Sequence, residues 1–486
     1  MLNKKYPLFV AFIFIGVRIY AQTFFGLQNS NYSGAHMIYT NPAALGTMPF
    51  KRNVNFSSFG FNVNNNYLSL ETPFSFWDMV TNQVDPQYLN AEGNIDWKSD
   101  WLKENQTGNK IWGTAELEYR GPAYATRYLD KFVWATATRT RSSVSVTNVS
   151  PQIITWGKSL LDSNSNINIM DVANQTFNIR ANSYQEFTGS LAFLAINQSD
   201  FKMSLGVTGK ILLGLGSFNM HNNGSKFSAY GHDSIRVDYA DIKVSYTDFD
   251  FLSQIMKGVI LGSLPKLNNI SGFGYGMDLG FSIESGNVGR DEAQSKIVSN
   301  KQYRWKLSGA VLDLGHINYS SNATSYQIAT DKPVSMNLMT PEFLLAASNG
   351  SSGVLNYVTE YAQQKGIYKE VQEEISMNLP TTVQIQFDYA LLKYFNVAAH
   401  WQQRLSSIQE NQILGNSSLV VVPRFEHRWV EVSTPISFYD NYEQFGLGLF
   451  TRIGPVFFGT DNFLKSFTNT KYSGINMYFG ISSLLP

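Results

Sequence analysis

The chain has 486 residues, of which 15% are charged and 14% aromatic, with 37 basic side chains balanced by 37 acidic ones. Soluble domains carry about 25% charged residues and nucleic-acid binders show a basic surplus, so neither class fits and no nucleic-acid partner is expected. There is no cysteine, which excludes disulfides, thiol chemistry and a lipoprotein anchor.

Residues 1–21 read as a signal peptide. Lys4 and Lys5 form a basic start, Leu8 to Val17 is an apolar run too short to span a bilayer, and Ala21 suits cleavage. Ile19 is larger than the usual small residue at its position. The alternative is an N-terminal anchor, against which Arg18 interrupts the run. Beyond Gln22 no apolar run reaches the 18–20 residues that a transmembrane helix needs.

Residues 22–52 lack strand character. In Tyr39-Thr-Asn-Pro-Ala-Ala-Leu45, Asn41 suits a helix N-cap and Pro42 the first helical position. A short N-terminal turn or helix in a barrel mouth is expected.

Strands follow. Val54 to Val63 alternates, with a slip near Phe59 that suggests a bulge. Residues 113–120 and 123–129 are weaker, and 132–147 is long and rich in Thr, Ser and Val. Residues 150–179 interrupt the pattern, with a helix over 153–161. A hairpin is expected where 187–196 meets 201–213 across the turn Asn197-Gln-Ser-Asp200, a short turn of the periplasmic kind.

Residues 226–231, 234–246, 273–284 and 303–320 read as further strands. In Phe273 to Ile283 every odd position is large and apolar, and every even one is Gly, Asp or Ser. A period of two sends these sets to opposite faces of a strand. Residues 328–378 lose the alternation, and 341–347 and 355–364 look helical. So long a break reads as an extracellular loop or an inward plug. Strands resume over 383–389, 395–401, 417–424, 428–437, 445–452, 455–460 and 475–482.

These elements predict an all-β fold, a transmembrane antiparallel β-barrel of 12–16 strands, with 14 favoured. An even count brings both chain ends to the periplasmic side. The expected organisation is a signal peptide over 1–21, an N-terminal hatch over 22–52, and a barrel over 53–486. A large soluble sandwich or propeller is the alternative, but its strands average about 5–6 residues and its polar face would carry more charge.

Catalytic and cofactor signals are weak. The histidines show no i, i+4 pair and no His-Glu-x-x-His; His221 and His232 beside Asp233 read as a solvated loop. No nucleophile elbow or phosphate loop is present, and Leu279 stands where a dinucleotide fingerprint requires its third glycine. No enzyme, metal or cofactor is expected. The inward face carries both charge signs, including Lys202, Lys210, Asp278, Glu284, Asp388 and His400, with glycines at 206, 274, 276, 280, 446 and 448. Glycine in a strand allows a bend or close backbone approach, so the N-terminal segment, residues 328–378, or both are expected to pack there. Trp97 and Trp101 in the polar stretch 92–110 suggest an exposed partner site.

The segment Ser33-Gly-Ala-His-Met-Ile-Tyr-Thr-Asn-Pro-Ala-Ala-Leu45 resembles the start of a family of Bacteroidota outer-membrane barrels of unknown function. Stretches 274–284, 306–319, 380–389 and 454–461 extend the resemblance over nearly the whole chain after the leader. The family is distantly similar to FadL-type fatty-acid channels and to PorV-like barrels of type IX secretion. The resemblance implies a 14-stranded barrel with an N-terminal hatch, placing Asn41, Pro42 and Ala43 as ligand-site candidates. Pro486 departs from the terminal aromatic common in such barrels. Two functions follow: a channel or carrier for hydrophobic small molecules, or a non-transporting scaffold for a secretion, adhesion or envelope complex. Expected partners are outer-membrane lipid, a hydrophobic ligand, and an envelope or secretion-system protein.

Overall fold

A computed structural model describes residues 24–48, 51–74, 78, 81–90, 93, 95–96, 98–104, 111–128, 131–159, 170–198, 200–230, 234–247, 270–286, 303–371, 374–405, 417–439, 442, 444–463, 471–472 and 474–483. The expected signal peptide therefore lies outside the described residues.

The alternating segments pair with their sequence neighbours and close into a 14-stranded antiparallel barrel. Its strands are β1 (Arg52–Asn65), β2 (Ile111–Tyr128), β3 (Phe132–Val149), β4 (Asn178–Asn197), β5 (Phe201–Tyr230), β6 (Gly272–Ser285) and β7 (Trp305–Tyr319). The second half holds β8 (Thr382–Leu392), β9 (Phe395–Arg404), β10 (Ser418–Glu426), β11 (Val430–Ser433 continued by Ile436–Tyr439), β12 (Gln444–Leu447 continued by Leu449–Ile453), β13 (Val456–Thr460) and β14 (Gly474–Ser483). Closure is explicit at Phe59, which pairs with Phe479 of β14 on one side and Tyr119 of β2 on the other. A closed sheet leaves no edge to aggregate and no ladder group unpaired in lipid.

The period of two decides which face meets lipid. On β6, Phe273, Tyr275, Met277, Leu279 and Phe281 are exposed, while Gly274, Gly276 and Asp278 are buried. The outward band continues through Leu205, Val207 and Ile211 of β5, Ile385 and Phe387 of β8, and Phe479 and Ile481 of β14. A soluble monomer does not expose an apolar surface this continuous, whereas a membrane barrel must.

The weak segments 113–120 and 123–129 join, up to Tyr128, in one strand, β2, bulged between Arg120 and Ala123, and 129 lies outside the described residues. Residues 226–231 are not a separate wall strand either. Residue 231 lies outside the described residues, and 226–230 end β5, which runs for 30 residues. At about 3.3 Å per residue this is roughly 100 Å, far beyond the apolar band of about 25 Å, so its upper part leaves the membrane. There Ser234–Tyr246 folds back on it and pairs with Thr324–Thr330 and Val334–Asn337. The stretch 328–378 is taken up in this extension, with helices Pro341–Ser348 and Gly350–Gln364 and strand Ile375–Asn378 continuing the wall beside β7.

The segment Phe24–Met48 lies inside the bore. Helix α1 (Phe25–Gln28) packs on β9, β10, β12 and β14, and the 3-10 turns Gly34–Tyr39 and Pro42–Thr47 pack on the opposite wall, β1 to β6.

Candidate functional site

The Asn41-Pro42-Ala43 motif is brought together against β5, β6 and β7. Asn41 caps the following turn: its Oδ1 accepts from the Ala43 amide at 2.9 Å. Its Nδ2 also donates to the carbonyls of Phe281 and Gly309, at 3.1 and 3.2 Å. The Ala43 carbonyl accepts from Ser204 Oγ at 2.8 Å. This approach needs bare backbone on the wall. A Cβ at Gly206 would strike the backbone of Pro42 and Ala43, and one at Gly280 would strike Asn41. The other wall glycines named from sequence serve different neighbours: Gly274 meets Ile317, Gly276 meets Leu379, and Gly446 and Gly448 meet Asp461.

A four-residue helix and two 3-10 turns cannot satisfy their own termini, and the wall does so. Asp461 and Tyr478 accept the amides of Phe25 and Gly26. Asn53 accepts that of Ala35 at 2.7 Å, and Glu426 that of Asn31 at 2.6 Å. At the other end, Arg127 donates to the carbonyls of Gly46 and Met48 at 3.0 and 2.9 Å.

Between these polar clasps lies a dry interface. Met37, Ile38, Leu45 and Met48 of the segment are buried against Ala123 and Ala125 of β2, Val133, Ala135 and Ala137 of β3, and Ala192 of β4. These are inward-facing positions, where an aqueous pore would place polar side chains. The segment occupies an apolar groove of small residues.

Above the groove runs a belt of buried charge. Glu118 and Arg120 of β2 pair at 2.6 Å, and Arg139 of β3 meets Glu186 of β4 at 2.7 Å. Lys210 of β5 lies 2.7 Å from Asp278 of β6 and 2.6 Å from Asp313 of β7, which also holds Arg141 at 3.0 Å. Asp313 has φ 57° at the β7 bulge, and its amide donates to Asp278 Oδ1 at 2.7 Å. Asp tolerates this left-handed conformation better than most residues, and the bulge re-aims its carboxylate into the bore. On the far wall Arg424 pairs with Asp388, and Arg452 with Glu431.

Aromatic rings of the segment lie on these guanidinium groups: Phe24 at 3.7 Å and Tyr39 at 4.8 Å from Arg120, Tyr39 at 4.8 Å from Arg139, and Tyr32 at 4.7 Å from Arg452. His36 is buried beside Arg120. Burial, with the Arg120 charge adding to it, lowers its pKa to about 3, so it sits there neutral.

Sequence reading missed Glu118, Arg120, Arg139, Arg141 and Glu186. A usable signal was present, since Glu116, Glu118, Arg120 and then Arg139, Arg141 recur at i, i+2 and must share one face of a strand. His221 lies on β5 beside Asn178, and residues 232–233 fall outside the described residues. Among the described residues no group of three His, Asp or Glu is placed to hold a metal. Trp101 is buried with Phe74 and Tyr88 in a small extracellular core, which corrects the exposed-partner reading; Trp97 is outside the described residues.

The closed sheet and its outward apolar band define an outer-membrane β-barrel. The chain belongs to the family described as "Family of unknown function (DUF5723)", matched over residues 42–461. No curated protein matches it. Among solved structures it is similar to the Ralstonia pickettii toluene transporter TbuX, with 8% identity, TM-score 0.42, and coverage of 93% of this chain and 94% of that one. It is also similar to the Pseudomonas putida toluene transporter TodX, with 8% identity, TM-score 0.36, and coverage of 96% and 100%. A Pseudomonas aeruginosa FadL homologue shows 11% identity, TM-score 0.28, and coverage of 96% and 98%. At these TM-scores the likeness carries no argument, and the fold stands on its own strand register.

Proposed function

We propose that the barrel is a channel or carrier for hydrophobic small molecules and that the N-terminal segment is its hatch. The observation that carries this reading is the alanine-lined groove on the inner face of β2, β3 and β4, filled by Met37, Ile38, Leu45 and Met48. Withdrawal of the segment uncovers an apolar surface inside the bore, a place for an apolar solute and not for a salt. A second inward apolar surface, Tyr184, Leu212, Ile317, Tyr319 and Met377, lies toward the extracellular side of the belt. The Asn41-Pro42-Ala43 stretch resembles the N-terminal motif of a barrel family distantly similar to FadL-type channels, which supports the same class.

The cysteine-free chain permits a clean test. An ideal Cβ on Gly46 lies 3.8 Å from Ala192 Cβ, inside the disulfide range of about 3.5–4.5 Å. Ser204 stands in the way, so Gly46→Cys and Ala192→Cys are combined with Ser204→Gly. An apolar diazirine probe should label the inner face at Ala125 and Ala135 in the reduced protein. Oxidation should abolish that labelling and reductant restore it. Equal labelling in both states removes the hatch, and no inner-face labelling in either removes the hydrophobic solute.

A second reading, a non-transporting scaffold for an envelope, adhesion or secretion complex, is supported by the sheet and helices that stand beyond the membrane on β5. It predicts a stoichiometric protein partner that is lost when Pro341–Gln364 is removed.

A further inference from the structure

The periplasmic ends of β7 to β12 carry an ordered basic and aromatic ledge. The Arg304 guanidinium lies 5.0 Å from the Tyr389 ring, and its Nε donates to the Tyr389 hydroxyl at 2.9 Å. In the β8–β9 turn Lys393 Nζ lies 5.5 Å from the Tyr394 ring, and in the β10–β11 turn Arg428 lies 5.5 Å from Trp429. The two tips touch: Tyr394 meets His427 at 5.5 Å and Phe425 at 6.0 Å, and Phe425 meets Phe395 at 5.3 Å.

Apolar surface surrounds the cations. Leu391 and Leu392 are adjacent in sequence and 52% and 63% exposed. In a half-buried strand neighbours face opposite ways and only one would be bare, so this tip shows apolar surface on both sides. Trp429, Ile453 and Val456 continue it. Among the described residues the nearby carboxylates do not neutralise the ledge, because they are buried and engaged within the bore. Asp388 pairs with Arg424 and Tyr303, Glu426 with Asn31 and Asn396, and Glu431 with Arg452 and Ser30. Aromatic rings, bare aliphatics and uncompensated cations at one depth are the composition that headgroup regions select.

We propose that this ledge is a binding site for an anionic phospholipid of the periplasmic leaflet. The phosphate is held by Lys393 and Arg428, Arg304 extends the basic face, and the acyl chains lie on Leu391, Phe395 and Val456. This goes beyond the transport reading and does not depend on the hatch.

The test reconstitutes the full barrel in equal phosphatidylglycerol and phosphatidylcholine, extracts it in mild detergent, and counts retained lipid by native mass spectrometry. The wild type should retain phosphatidylglycerol selectively. Arg304→Gln, Lys393→Gln and Arg428→Gln should each lower that selectivity by roughly fivefold. A control carries Lys51→Gln, Lys131→Gln and Lys202→Gln on the opposite rim, and should keep it. Folding is checked by heat-modifiable migration in detergent gels. Equal retention of both lipids by the wild type overturns the proposal. So does selectivity that survives in the ledge variants, or that falls equally in the control, since the effect would then belong to surface charge at large.

Discussion

At the scale of single residues, the seat of the N-terminal segment depends on what two glycines leave out. A side chain at Gly206 has no room beside Pro42 and Ala43. Gly206→Val should therefore unseat the segment while the wall still closes, because the β5–β6 ladder is made by backbone. Limited proteolysis should cut within residues 24–48 of the variant and spare them in the wild type, and a protected segment would refute the close-approach argument. His36 gives a pH dependence. Released, its imidazole has an ordinary pKa near 6.5; docked, it titrates at about 3. The released state binds more protons between these values, so docking is fully supported above pH 6.5 and weakens as pH falls toward 3, by about 1.4 kcal/mol per unit. His36→Gln should flatten that dependence in a protease-protection series. Asn41, Pro42 and Ala43 were legible as a cap followed by a helical start. Their second task, pinning the turn to the Phe281 and Gly309 carbonyls, joins positions more than two hundred residues apart, which no local pattern encodes.

At the scale of elements, the wall was readable wherever one face meets lipid and the other a polar bore. Phe273 to Ile283 shows this plainly. Around β2 and β3 the alternation blurs because the inner face turns apolar, so β2 reads weakly and β3 is legible from its Thr, Ser and Val content instead. Ala123, Ala125, Ala135 and Ala137 replace the polar partners that make alternation visible. The same alanines form the groove, so the pattern fails where the candidate site lies. The extracellular extension is built differently from the wall. It hangs on the upper part of β5 through Ser234–Tyr246, while β7 and β8 pair directly below it, from Trp305–Tyr389 to Leu312–Thr382. Replacing the helices Pro341–Gln364 by a short Gly-Ser turn should leave the barrel's heat-modifiability within a few degrees of wild type. A large drop would show that the extension supports the wall.

At the scale of the molecule, the belt ties six neighbouring strands through charges buried in the bore. Such pairs are unequal to their parts. Two charges removed from water lose several kcal/mol of hydration each, which their attraction roughly recovers, whereas one partner left alone recovers nothing. Lys210 is the sharpest case, since it alone lies between Asp278 and Asp313 at 2.7 and 2.6 Å. Lys210→Met should cost about 3–5 kcal/mol, because two carboxylates are then left facing each other with only Arg139 and Arg141 to answer Asp313. Adding Asp278→Asn to Lys210→Met should recover most of that loss, although two native side chains are then gone instead of one, because Asp313 keeps Arg139 and Arg141. Urea unfolding in detergent micelles, followed by tryptophan fluorescence, reads both variants on one scale. If the double variant is less stable than the single one, the belt supplies net stability. If it is restored, the charges specify which strand faces which and where the segment's aromatic rings settle on Arg120 and Arg139, and the wall's stability resides in its ladder and its lipid-facing band.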